Sequence, residues 1–270
     1  MNLNKKLVFH FYVSSDFETN EAAKLHLLLL SEFTGIFNET VMVVSYDKSV
    51  SQEIIERAKL SIFSSIKSKL VTIKLLENTP LREAKTFYDE VVDSKCDNKK
   101  CELIFFGHSK GYSNKINESV IDWIIGLYYL SLNFEGEATN SLLWNTERFN
   151  SLFFGSFLLI KDKEFNVFED SVYSGAFFWV NKCDIENNRE RLPKIDNRFY
   201  AERFPYRAIT ALQSKCSAHR GWGALYNLFD FYGKNTGQNE AIVAIQDILT
   251  EEEFFGYIKF KEGILNKLYK

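Results

Sequence analysis

The sequence predicts an α/β fold, a mainly parallel β-sheet with helices on both faces, and three observations predict it. Short runs of Val, Ile, Leu and Phe alternate with stretches of helical periodicity through the first part of the chain. These runs are dense in apolar residues, as strands covered on both faces are. Hydroxyl, carboxylate and lysine side chains follow directly on them, at the strand ends where a parallel sheet usually presents its ligand.

Each element has its own signal. Leu7 to Val13 reads as a buried strand, and Asn20 opens a Leu-rich helix that ends near Phe33 to Gly35. Val41 to Val44 is the second strand. Ser51 is the N-cap of a helix whose Ile54, Ile55, Ala58 and Ile62 share one face, and Leu70 to Leu76 is the third strand. Thr79-Pro80 reads as a helix start, the hydroxyl capping and the proline in the first turn. Leu81, Ala84, Tyr88, Val91 and Val92 make that helix's apolar stripe, and Leu103 to Phe106 is the fourth strand. Strands separated by helices in this order imply right-handed crossovers.

After the fourth strand the rhythm changes. Asn117 caps a helix in which Val120, Ile121, Ile124, Ile125 and Tyr128 form the apolar face, and strand-like runs follow at Leu152 to Ile160 and Val172 to Val180. Polar and aromatic residues in close order and a glycine-broken loop lead into further helices. No repeat and no Gly/Ser-rich or Pro-rich linker divides the chain, so residues 1–270 read as one domain, with a nucleotide-binding half over 1–115 and a mixed-strand half over 116–270.

Composition narrows the function. In a chain of 270 residues, 46% hydrophobic residues supply a packed core, and a net charge of -3 argues against a nucleic-acid partner. Four cysteines do not make a disulfide scaffold, and Cys96 and Cys101 lack the second ligand pair of a structural zinc. The N-terminus runs straight into a strand-like segment. No signal peptide or spanning helix is evident in the sequence, which places the protein in the cytoplasm. The 25 phenylalanines, in a chain with 16% aromatic residues, fit either an aromatic core or carbohydrate-stacking surfaces.

The candidate chemistry gathers in a few segments. His108-Ser109-Lys110-Gly111 closes the fourth strand, where a glycine lets backbone approach an anion and Lys110 would neutralise a diphosphate; a solvated lysine is the alternative. His108 has three readings: metal ligand, phosphate donor or cap of its own loop. Ser14 and Asp16 after the first strand, and Asp47 after the second, add hydroxyl and carboxylate groups suited to a nucleotide. Neither GxxxxGK[ST] nor GxGxxG occurs, which removes kinase and dehydrogenase readings. Gly175, in a small-residue stretch, would admit a sugar close to the backbone, with Trp179 as a stacking face or as core. Glu202 is a general-base candidate or the ion-pair partner of Arg198 or Arg203, and His219-Arg220 is a late phosphate-closing pair.

The segments FFGHSKG, YSGAFFWVN and RFYAERFP, in this order of elements, resemble bacterial glycosyltransferases of the GT-A fold found with capsule and O-antigen synthesis. The resemblance implies a GT-A-like, Rossmann-like sheet, a nucleotide-sugar donor and a surface glycan or lipid-linked glycan as acceptor. A lipid-linked acceptor implies peripheral contact with the inner face of the cell membrane. Many members of the fold hold a divalent metal on the donor diphosphate with Asp-x-Asp, and this chain has none. Lys110, helped by His219 or Arg220, would then stabilise the leaving diphosphate, no metal ligand is assigned, and metal dependence is in doubt. By order, Glu202 matches the base of inverting members, Trp179 and Arg198 fall on the acceptor side, and His108 and Gly175 on the donor side. The competing reading is a nucleotide-sugar-binding or scaffold protein without catalysis. The third reading is a hydrolase: Gly107-His108-Ser109-Lys110-Gly111 has the G-x-S-x-G spacing of a nucleophile elbow, while no H-E-x-x-H is present.

Overall fold

A computed structural model describes residues 3–95, 101–109, 116–143, 151–155, 158–159, 172–173, 176–212, 215–218 and 240–270. The chain opens as β1 (Leu3–Val13), α1 (Glu21–Phe33), β2 (Glu39–Tyr46), α2 (Gln52–Ser64), β3 (Leu70–Glu77), α3 (Glu83–Phe87) and β4 (Cys101–His108). It continues as α4 (Glu118–Tyr128), α5 (Glu135–Leu143), β5 (Ser151–Gly155), β6 (Leu158–Leu159), β7 (Val172–Tyr173), β8 (Phe178–Asn181) and α6 (Lys182–Asn187). The last described elements are α7 (Tyr200–Leu212), β9 (Lys215–Ala218), α8 (Glu240–Ile248) and α9 (Glu251–Leu268).

One seven-stranded sheet carries the fold, in the order β3-β2-β1-β4-β8-β5-β9, and β6 and β7 form a separate small ladder. Among the described strands of this sheet only β8 runs against the others, pairing antiparallel with β4 on one side and β5 on the other. The mainly parallel α/β class therefore holds, and the mixed character enters through that single strand. The strands β1, β2 and β3 build outward in one direction, after which β4 joins the other side of β1. That reversal makes a topological switch point between β1 and β4, and open α/β sheets bind ligands in the crevice outside the carboxyl ends of the strands at such a point.

The caps explain where the helices begin. Asn20, Ser51 and Asn117 accept, through their side chains, the amides of Ala23, Ile54 and Val120 (3.0, 3.4 and 2.9 Å). Thr250 and Glu253 form a full capping box on α9. Alternation along β1 then sends side chains to two cores. Phe9 and Phe11 pack with α1, α4 and the C-terminal helices, and Val8 packs with Phe87, Phe106, Phe178 and Phe204 on the α3–α7 side. Most of these rings meet tilted or edge-to-face, including Phe87 with Phe106 at 4.9 Å and Phe87 with Phe204 at 5.0 Å. Phenylalanine abundance is thus largely a matter of core packing.

Two buried charges fasten helices. Lys182, fully buried, donates from Nζ to the carbonyls of Val91 (2.7 Å) and Val92 (3.4 Å), satisfying the open end of the turn that follows α3. Lys261 on α9 reaches the buried carboxylate of Asp122 on α4 at 2.5 Å.

Three expectations change. The segment at Thr79-Pro80 is a turn, and α3 starts only at Glu83 after Arg82 adopts a left-handed φ of 46°. Thr79 Oγ1 is buried without a hydrogen bond, so it does not cap the helix. The run Leu152 to Ile160 divides into β5 and β6, and Val172 to Val180 into β7 and β8, with a left-handed Ala176 (φ 50°) just before β8. Among the described residues no helix is long and apolar enough to cross a membrane.

Candidate functional site

Each parallel strand ends at the crevice edge of the sheet. The end of β4 is fixed first: the Ser109 amide donates to the His10 carbonyl (2.9 Å), and the Tyr12 amide donates to Ser109 Oγ (2.8 Å). The serine side chain replaces a backbone acceptor where β1 and β4 part, which lets the chain turn away without stranding a donor. His108, opposite His10 in the β1–β4 register, is buried at the same edge with its ring 6.3 Å from Phe177. Gly107 is tightly packed: a Cβ there would crowd the rings of Phe9 at 3.1 Å and Phe177 at 3.3 Å, which would have to give by a few tenths of an ångström.

Two polar clusters flank that point. After β1, Ser14 donates to the Asp16 carboxylate, Asn20 Nδ2 adds a second bond at 3.2 Å, and Asp16 is exposed in the turn that leads into α1. The Ser14 hydroxyl is the main reason the Asp16 carboxyl lies below its usual range. After β2, Asp47 accepts from the Tyr12 hydroxyl at 2.5 Å and from Asn78 Nδ2 at 2.8 Å. These two donors, Tyr12 first, and the nearby charge of Arg82 hold the Asp47 carboxyl below its usual range. Each Asp47 oxygen accepts one of these bonds, so both retain a lone pair for a further donor.

Beneath the clusters lies a buried polar floor. His10 Nδ1 is 2.7 Å from Thr86 Oγ1 and its Nε2 is 2.9 Å from Ser45 Oγ, tying β1, β2 and α3 together. Burial pushes His10 down from 6.5 to about 3, so the ring is neutral near pH 7. The unfolded chain therefore takes up the extra proton. The stability this group contributes is complete above its unfolded pKa and is lost as pH falls toward its folded one. Denaturant unfolding followed by circular dichroism should show stability falling by up to about 1.4 kcal/mol per pH unit between roughly pH 6 and pH 4.5. His10→Gln should flatten that slope; an equal slope in the variant would remove His10 as its source.

The second half of the chain contributes to the same edge by topology. Because β9 is parallel to β5 and follows α7 closely, α7 begins at the crevice side of the sheet. Glu202 is half-buried in its first turn, and Arg198 is exposed just before it, with its guanidinium 4.5 Å from the Phe199 ring centroid. The main packing of α7 is on β5, β7, β9 and α3 rather than on the β1 and β2 loops. The antiparallel β8 likewise starts at the crevice, which puts the strained Ala176 there with the strained Arg82. Non-glycine residues held in left-handed conformations cluster at functional sites.

Trp179 must be corrected. It is 1% exposed, stacks on Phe37 at 5.4 Å, lies 5.2 Å from Phe105, and donates from Nε1 to the Ser131 carbonyl at 2.8 Å. No face is left for a sugar. Lys110, Gly175, His219 and Arg220 lie outside the described residues.

Neither a family model nor a curated protein matches this chain.

The site also contains residues that the motifs did not single out. Tyr12 belongs to it through its contact with Asp47 across the sheet, and Arg82 through its backbone and charge. Tyr12 lies on a strand that reads as core, although a hydroxyl at the last turns of a buried strand is itself a signal. Among the described residues no group of three His, Cys, Asp or Glu side chains is placed to hold a metal ion.

Proposed function

We propose that this protein is a GT-A-like glycosyltransferase that moves a sugar from a nucleotide-sugar donor to a bacterial surface-glycan acceptor, with inversion at the anomeric carbon. The observation that carries the reading is the Tyr12–Asp47–Asn78 cluster beside the switch point, an ionised carboxylate held open to donors. Nucleosides offer such donors in ribose hydroxyls and base N–H groups. The residue order is in keeping with the resemblance carried by FFGHSKG, YSGAFFWVN and RFYAERFP.

In this reading Asp47 anchors the nucleoside, and the loops after β1 and β4 border the diphosphate. Lys110, with His219 or Arg220, neutralises the leaving group in place of an Asp-x-Asp metal site. Glu202 takes the proton of the acceptor hydroxyl as that oxygen attacks the anomeric carbon and the carbon–diphosphate bond breaks. Arg198 and the exposed Phe199 border the acceptor.

A second reading, a nucleotide-sugar-binding or scaffold protein without turnover, is favoured by the packing of α7 away from the β1 and β2 loops. Purified protein incubated with nucleotide-sugars separates the two. Release of nucleoside diphosphate, by hydrolysis or by transfer to an added glycan acceptor, supports the enzyme; binding without release supports the second reading.

A further inference from the structure

We propose that β3 is the interface of a homodimer, pairing antiparallel with β3 of a second copy across a two-fold axis normal to the sheet. Among the described strands β3 is terminal in the sheet, eight residues long, with β2 on its inner side. The amides of Leu70 and Asn78 donate toward β2, to the carbonyls of Asn38 and Tyr46. Alternation then directs the backbone groups of Val71, Ile73, Leu75 and Glu77 outward, where a second strand can take them. Apolar surface accompanies this edge: Leu70 is 65% exposed and Leu75 41%. A long apolar edge is a template for another strand.

The charges choose the partner and the register. Centred on Ile73, self-pairing opposes Val71 with Leu75, Leu70 with Leu76, and Lys69 with Glu77. Apolar residues meet apolar ones, and each end of the seam closes on an opposite-charge pair in which the exposed Glu77 is shared with Lys48 of its own chain, 3.2 Å away. Centred on Lys74, the same strands would oppose Lys74 with its own copy and Val71 with Glu77; centred on Leu75, Ile73 would face Glu77. The Lys74 charge is already engaged by Glu90 at 2.6 Å within the chain. A two-fold normal to the sheet keeps both copies of α2 on one face of the joined sheet. The strand offers a seam about 26 Å long.

Sedimentation equilibrium of the full chain from about 1 to 200 μM should show a monomer–dimer equilibrium. Leu75→Pro removes an outward amide without touching the β2 ladder, and should weaken the dimer at least about tenfold. Lys69→Glu should weaken it by about two- to fivefold, and the further change Glu77→Lys should restore it. The charge exchange decides the matter alone if the proline variant fails to fold. A monomer across the whole range, or a dimer indifferent to Leu75→Pro and to the charge exchange, would overturn the assignment.

Discussion

Glu202→Gln is expected to lower the transfer rate by about 10²- to 10⁴-fold while leaving donor affinity nearly unchanged. An acceptor hydroxyl is a weak nucleophile at neutral pH, and a carboxylate in hydrogen-bond reach removes its proton as the new bond forms. Gln keeps the shape and the helix but not the basicity. Glu202 occupies the first turn of α7, while Tyr200, Ala201 and Phe204 provide the buried side of that helix, so the substitution leaves the packing of α7 intact. The loss should appear in kcat and not in donor binding measured by calorimetry. Near-normal turnover, or a product that retains the donor's anomeric configuration, would return Glu202 to the role of a surface ion-pair partner.

Trp179→Ala is expected to destabilise the fold by about 3 to 5 kcal/mol. The indole fills the core between Phe37 and Phe105, and its N–H satisfies the Ser131 carbonyl. Truncation leaves a cavity and removes the donor to that carbonyl. Trp179→Phe should cost less, since it keeps most of the volume and loses mainly the hydrogen bond. Denaturant titration gives both values, and nucleotide affinity at low denaturant should match the unaltered protein. A loss under about 1 kcal/mol for Ala would contradict the core assignment.

The first four strands and the first two helices between them were legible because local signals agree there. Asn20, Ser51 and Asn117 mark helix starts with a side chain that bonds three residues ahead, and such contacts are visible in a short window. Strand direction was not legible. The run ending in Phe178-Trp179-Val180 reports burial, and burial is the same whether β8 runs parallel or antiparallel. Trp179 shows the same limit, since an indole on a strand is equally consistent with a stacking face and with a core until its neighbours Phe37 and Phe105 are known. Asp47 was found as a carboxylate after a strand. Its partners Tyr12 and Asn78 lie about thirty residues away in either direction and meet it only through sheet register, and a window of local pattern does not carry that. Arg82 escaped notice because Thr79-Pro80 is a strong helix-start signal, and the chain instead makes a turn whose last residue is forced left-handed.

The central claim is that the crevice at the β1–β4 switch point binds a nucleoside diphosphate. Titration calorimetry with a panel of nucleoside diphosphates tests it most directly, run on the unaltered chain and on Asp47→Ala, which removes the carboxylate and keeps Tyr12 and Asn78. A hydrogen bond to a charged group contributes about 1.5 to 3 kcal/mol, so at least one nucleotide should bind and the variant should bind it roughly 10- to 100-fold more weakly. No nucleotide binding at millimolar concentration, or binding that Asp47→Ala leaves unchanged in a folded protein, would contradict the claim.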